Sequence, residues 1–202
     1  PNGCRFCQAG FVCRPVRARP PAMLIDAAEA CYRNTGYDEV GLLSLSTSNY
    51  PDFDELVGAL DRRFAPRGVS LSLPSLRVDH ALSGIPERFK TVRKSGFTIA
   101  PAAGSDRLRA VINKDVTDAD LLAAAEEAYA QGWQSIKLYF MVGLPTETDD
   151  DVCAIPELAN RVARLRRRGG KRKPAVTLSV SNFVPKAHTP FQWEAMSPPE
   201  EL

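Results

Sequence analysis

Cys4 and Cys7 stand on a short stretch that also holds Gly3, Arg5 and Phe6. Thiolates at this spacing converge on one point and form half of a zinc site or part of an iron-sulfur site. From these residues alone the two metals stand level. Three further cysteines, Cys13, Cys31 and Cys153, make five in all, and an odd number argues against a disulfide scaffold. Cys31 falls on the apolar stripe of an expected helix and Cys153 near the start of another, where a small buried hydrophobe is the expected role.

The elements that must position the pair alternate regularly. Pro15, Pro20 and Pro21 keep the chain extended after the cysteines. A helix is expected next, with Leu24, Ala27, Ala28 and Cys31 on one stripe, ending near Gly36. Residues 40–46 read as a strand, and Asp52 is expected to cap a second helix with Phe53, Leu56, Val57, Leu60 and Phe64 on one face. Residues 69–73 alternate as a strand, residues 79–94 form an interrupted amphipathic helical region, and residues 97–100 form another strand. A short helix is expected within residues 104–114, and Thr117 starts a longer one with Asp118 and Asp120 in its first turn. The run 136–142 is apolar almost throughout, as for a strand buried on both faces, and a helix over 147–168 and a strand over 175–181 complete the series.

Such alternation with short connections indicates a parallel sheet with right-handed crossovers. A further strand leading into the cysteines would make six βα units, too many for a flavodoxin-like sheet and too few for a closed eight-unit barrel. The expected fold is therefore α/β, an open partial TIM-type barrel that is (β/α)6-like, although a doubly wound sheet also fits the pattern.

A chain of 202 residues with 44% apolar content suits one domain with a sizeable core. No apolar run approaches the roughly 20 residues of a membrane-spanning helix. Unpaired thiols suit a reducing cytoplasm. The net charge of +2 carries no global nucleic-acid signature. The exception is local: Arg161, Arg164, Arg166, Arg167, Arg168, Lys171, Arg172 and Lys173 make a basic helix end and a Gly-containing loop over 166–174. Such a run is compatible with RNA or an acidic partner, but is more often a solvated helix end favoured by the helix dipole.

With Phe6 directly before Cys7, Arg5 beside it, and Gln8, Ala9 and Gly10 after it, the stretch resembles the cluster loop of the radical S-adenosylmethionine (SAM) superfamily. That loop runs Cys-x-x-x-Cys-x-aromatic-Cys. The resemblance therefore implies a first cysteine immediately before Pro1, Cys4 and Cys7 as metal ligands, and Cys13 outside the set. Three thiolates leave one iron of a [4Fe-4S] cluster open to the amino and carboxylate groups of SAM. One electron from the cluster then breaks a carbon-sulfur bond, giving methionine and a 5′-deoxyadenosyl radical.

In barrels of this kind function sits at the C-terminal ends of the strands, and the remaining matches fall there. Ser46 and Thr47 follow the second strand, where the family binds the SAM amino group. Ser105 follows the fourth strand. Gly143, Leu144 and Pro145 follow the fifth, where a glycine lets the backbone approach the adenine. Phe183 follows the sixth. Phe6 and Lys114 complete the implied SAM-binding set, Lys114 as a partner for the carboxylate. Each also has an ordinary reading: turn chemistry for the Gly and Pro segments, an exposed polar strand end for Ser46 and Thr47, and a solvated side chain for Lys114.

The segments around residue 102 and from Phe183 to Trp193 are similar to those of a group that carries a cobalamin-binding-like domain ahead of the core, related to the methylthiotransferases and the Elongator catalytic subunit. The sequence departs from that pattern at Ala102, where a glutamate or glutamine would hydrogen-bond the SAM ribose. The resemblance implies a [4Fe-4S] cluster, SAM, an unknown substrate, and an electron donor such as flavodoxin or ferredoxin. Cobalamin would be held only by a domain outside these residues. Hydrogen abstraction, methyl transfer and methylthio transfer share this core. The other reading is a non-catalytic zinc- or cluster-binding α/β module that acts as an assembly or binding partner. His188, Phe191 and Trp193 are expected to pack the chain exit against the barrel. Two thiolates cannot replace three, so residues 1–202 alone are expected not to hold a competent cluster. The codon before that of Pro1 is expected to encode cysteine; reading it tests the three-cysteine loop, and any other residue there removes its main support.

Overall fold

Parallel pairing organises every strand in the computed structural model, which describes residues 3–45, 47–73, 96–130, 132–167, 175–198 and 200. Strands β1 (Glu39–Gly41) and β2 (Ser70–Ser72) form a two-stranded sheet, and β3 (Phe97–Ala102), β4 (Ser135–Val142) and β5 (Ala175–Asn182) form a three-stranded one in that order. The helices are α1 (Ala9–Val12), α2 (Pro21–Thr35), α3 (Phe53–Phe64), α4 (Asp106–Val111), α5 (Asp118–Ala130) and α6 (Asp149–Arg167). The class is α/β with parallel strands, as expected. The described strands make two small open sheets rather than one continuous barrel wall. The helical region expected over 79–94 lies outside the described residues.

One large core joins the two sheets through the helices. The predicted face of α3 holds in full: Phe53, Leu56, Val57, Leu60 and Phe64 are all buried. Helix α5 turns Leu121, Ala124, Ala125 and Ala128 inward, and its alanines allow close approach to the sheet. Helix α6 contributes Ile155, Leu158, Ala159 and Val162, and Trp133 meets the ring of Phe97 edge-on at 5.6 Å. Each large side chain so buried contributes about 1.5–3 kcal/mol. Thr117 and Asp120 close a capping box at the start of α5: the Thr117 N–H donates to Asp120 Oδ2 at 2.9 Å and the Asp120 N–H to Thr117 Oγ1 at 3.2 Å.

Four expectations need correction. Strand β1 stops at Gly41 instead of running to residue 46, although the Leu42 N–H still reaches Ser72 O at 3.0 Å. Asp52 occupies the N-cap of α3, but its side chain makes no capping hydrogen bond. Strand β4 is buried on one face only: Ile136, Leu138 and Phe140 point into the core, whereas Tyr139 is 40% exposed on the other face with the Lys137 ammonium over its ring. The buried face of α2 is turned from the expected stripe. Ala28 and Glu29 are buried, Leu24, Ile25 and Tyr32 pack against the core, and Cys31 is exposed.

Charge pairing explains that rotation. Glu29 receives hydrogen bonds from Arg63 at 2.8 Å, from Arg67 at 2.9 Å and from Arg33 at 2.9 Å, so its carboxylate ties α2 to the end of α3. The Arg63 and Arg67 hydrogen bonds, with help from Arg33, outweigh burial and lower its pKa from 4.5 to about 2. A carboxyl held down in this way contributes stability above its unfolded value of 4.5, and the contribution is lost as pH falls through about 2. Glu29→Gln is expected to lower the urea midpoint at pH 7 and to flatten the loss of stability that the parent shows between those two pH values; urea titrations across the acid range measure both.

Candidate functional site

The cysteine pair sits on a turn closed by the Cys7 N–H donating to Cys4 O at 3.0 Å. Both thiols are free and half-buried. The end of α4 grips this turn: the Arg5 N–H donates to Ile112 O at 2.9 Å, the Arg5 guanidinium to Val111 O at 2.5 Å, and Asn113 Nδ2 to Gly3 O at 2.8 Å. The segment after β5 holds it from another direction, with the Phe191 N–H on Arg5 O at 3.3 Å and Gln8 Nε2 on Ala187 O at 3.2 Å.

A second, smaller apolar core lies beneath. It is made of Ala102, Ala103, Leu108, Ile112, Leu144, Phe183 and Phe191, with Phe6, Val111 and Met141 packed against it. The Phe183 and Phe191 rings meet edge-on at 5.9 Å. Phe6 thus anchors the cysteine turn on the cluster that joins the C-terminal ends of β3, β4 and β5.

Hydrogen bonds lock the loops after β3 and β4 together. Ser105 caps α4 by accepting the Leu108 N–H at 3.1 Å, and its hydroxyl donates to Asp151 in the first turn of α6. Arg107 donates to the same carboxylate and to Thr146 O at 2.8 Å. The Thr148 N–H and hydroxyl reach Asp151 Oδ2 at 2.9 and 2.8 Å. Burial opposes ionisation of Asp151, but the hydrogen bonds from Arg107, Ser105 and Thr148 prevail and hold its carboxyl well below the usual carboxylate range. Arg109, almost fully buried, braces the other side through Val116 O at 2.8 Å, Ala103 O at 2.9 Å and the carboxylates of Asp106 and Asp118.

The end of β4 satisfies its own amides. Gly143 is left-handed, with φ 76°, and its N–H donates to Glu147 Oε2 at 2.5 Å. Burial raises the Glu147 carboxyl, as does the Asp151 charge, while the Gly143 and Leu144 amides pull it down.

The expected site residues divide accordingly. Phe6, Leu144 and Phe183 meet at the second core, Cys4 and Cys7 lie on the turn that Phe6 anchors there, and Gly143 and Ser105 stand on adjoining loops. Pro145 is half-buried next to Leu144, and Lys114 is half-buried beyond α4, its N–H donating to Arg109 O at 2.9 Å. Ser46 lies outside the described residues. Thr47 is buried on the segment that follows β1: its hydroxyl is 3.0 Å from that of Ser44, and it lines an open groove of about 510 Å³ between α2 and β1. Cys31 lines the same groove at the margin of α2, so it is exposed rather than buried. Cys153 is exposed as well, on the side of α6 away from Ile155 and Leu158. Phe191 packs as expected, but His188 and Trp193 are exposed. In the basic run, Arg161 pairs with Asp118 across α5 and α6, and residues 168–174 lie outside the described residues.

Sequence reasoning missed the positioning groups Asp151, Arg107, Arg109, Glu147 and Asn113. Arg107, Arg109, Asn113 and Glu147 stand in segments that carry the family resemblance but draw no role from it, and the Thr148 and Asp151 spacing of a helix cap does not reveal the reach of Asp151 to a different loop. Among the described residues no group of three or more His, Cys, Asp or Glu side chains is placed to hold a metal ion. Two thiolates on one turn are soft ligands that suit an iron-sulfur cluster or zinc rather than a hard cation.

The family model of the Radical SAM superfamily matches residues 1–159. The chain is 37% identical over 194 residues to an uncharacterized protein of Methanocaldococcus jannaschii, covering 96% of this chain and 40% of that protein. Its fold is similar to that of coproporphyrinogen III oxidase (HemN) from Escherichia coli, described as a radical SAM enzyme, with a TM-score of 0.61 at 15% identity, covering 98% of this chain and 46% of HemN. The chain thus spans less than half the length of either protein. Gly104 is where the loop after β3 touches the first turns of α6, since a Cβ there would overlap the main-chain oxygen of Asp151 and crowd Ile155. Gly104→Ala is expected to cost about 1–3 kcal/mol through overpacking, and Asp151→Ala about 1–3 kcal/mol through donors left unpaired; urea denaturation measures both.

Proposed function

The chain belongs to the radical SAM superfamily, and from that premise we propose that it is the core of an enzyme that binds a [4Fe-4S] cluster and SAM and reductively cleaves SAM. The observation that carries this reading is the docking of the cysteine turn, through Phe6 and the end of α4, onto the apolar cluster that joins three strand ends. When bound, the cluster supplies the electron that breaks the carbon-sulfur bond of SAM to give methionine and the 5′-deoxyadenosyl radical.

The residues of the chain hold and orient. Cys4 and Cys7 provide two thiolates, and a third comes from a cysteine ahead of the turn. Gly143, Leu144 and Pro145 form the adenine side of the SAM site, where Gly143 presents backbone without a side chain and Glu147 holds its amide in place. Ser105 and Lys114 serve the ribose and carboxylate side. Ser46 and Thr47 serve the amino group from the second strand end. Phe6 and Phe183, both at the second apolar core, shield the cysteine turn from water on that side.

In this reading the chain is one domain, the strands belong to an open partial barrel in a cytoplasmic protein, and flavodoxin or ferredoxin is the electron donor. The segments around Ala102 and Phe183 favour the group with a cobalamin-binding-like domain, hence methyl or methylthio transfer to a substrate selected elsewhere in the protein. The basic stretch 166–174 is a solvated helix end, with nucleic acid the lesser candidate.

Metal analysis tests the reading against a zinc-binding partner module. After anaerobic reconstitution, a chain carrying the full three-cysteine loop is expected to hold iron and acid-labile sulfide in equal amounts. Cys4→Ala and Cys7→Ala should lose most of both, whereas Cys31→Ala and Cys153→Ala should retain them. One zinc per chain without sulfide would overturn the proposal.

A further inference from the structure

The orientation of Cys4 is set from outside its own turn. The peptide joining Gly3 to Cys4 has its carbonyl oxygen held by Asn113 Nδ2 at 2.8 Å, and the peptide joining Cys4 to Arg5 has its N–H held by Ile112 O at 2.9 Å. A peptide unit is planar. Holding one group on each of the two planes that meet at the Cys4 Cα therefore constrains both of its backbone dihedrals, and with them the direction of its Cβ. Both holding groups come from adjacent residues at the end of α4.

That end of the helix is itself well anchored. Ile112 is fully buried, and the Asn113 N–H donates to Ala110 O at 3.0 Å. Asn113 is left-handed at φ 55°, a conformation that asparagine tolerates better than most residues. A Cβ at Gly3 would stand 3.2 Å from Asn113 Nδ2, so the contact is close on both sides. The other end of α4 begins at Ser105, which is tied to Asp151.

We propose that Asn113 is a positioning residue for Cys4: its side-chain amide orients the Gly3–Cys4 peptide and so sets the direction in which the Cys4 thiolate faces the cluster. Through α4, the loops after β3 and β4 and the cysteine turn are joined in one hydrogen-bonded unit. The inference rests on the iron-sulfur reading above.

The test uses a chain carrying the three-cysteine loop, reconstituted anaerobically, with Asn113→Gly, Asn113→Asp and Asn113→Ala. Glycine keeps the left-handed turn while removing the amide. Aspartate keeps the size, but its carboxylate cannot donate to Gly3 O. The readouts are the rate at which a chelator strips iron, the electron paramagnetic resonance spectrum of the reduced cluster with and without SAM, and the urea midpoint. Losing this hydrogen bond is expected to speed iron loss about fivefold in the glycine and aspartate variants and to diminish the spectral change caused by SAM. Iron-loss rates within twofold of wild type and unaltered spectra in all three variants would overturn the inference, and a lowered urea midpoint as the sole effect would reduce Asn113 to a structural residue. Wild-type protein that takes up no iron and sulfide would overturn the iron-sulfur reading together with this one.

Discussion

The loop after β3 can lie against the start of α6 because Gly104 has no side chain to obstruct it, and the loop after β4 joins them because a buried carboxylate is satisfied from both loops. Asp151 is only 3% exposed. Burial at that depth favours the neutral acid, so the ionised form depends on its donors from Ser105, Arg107 and Thr148. One of those donors, Ser105, also starts α4, and α4 ends in the turn that grips Gly3 and Arg5. The geometry of the cysteines is thus tied to a charge in the first turn of α6 by way of one short helix.

The two apolar cores divide the work. The larger one, from α2 and α3 through β3, β4, α5 and α6, holds the fold together by area. The smaller one contributes less area but fixes relative position, because Phe6, Leu144 and Phe183 reach it from three separate segments. Backbone strain gathers on the same side. The left-handed residues other than glycine, among those described, are Ala102, which ends β3, and Asn113, Thr146 and His188, which lie in the segments after α4, β4 and β5. Left-handed conformations of this kind cost of order 1–3 kcal/mol and persist where the surroundings over-determine them. The second core and the Asp151 and Arg109 networks supply that constraint.

The sequence announces periodic features well and interlocking ones poorly. The inward face of α3 is legible because five apolar residues follow a helical period with no competing demand. The face of α2 is misread because Glu29 is drawn inward by arginines more than 30 positions away, as with Arg63 and Arg67, and no local pattern records that attraction. The turn at Gly143 is legible because its left-handed backbone favours glycine. Asp151 and Asn113 are not, since an acid in a first helical turn and an asparagine after a helix are ordinary capping choices. Their reach to other segments exists only once the strands are assembled.

The proposed reaction has one product that a zinc module would not give. The anaerobically reduced chain, carrying the three-cysteine loop and mixed with SAM, should release methionine and 5′-deoxyadenosine in equal amounts, the radical taking a hydrogen atom from buffer or protein, as chromatography of the quenched reaction would show. Intact SAM after prolonged incubation with protein whose iron, sulfide and reduction are all verified would contradict the account at its centre.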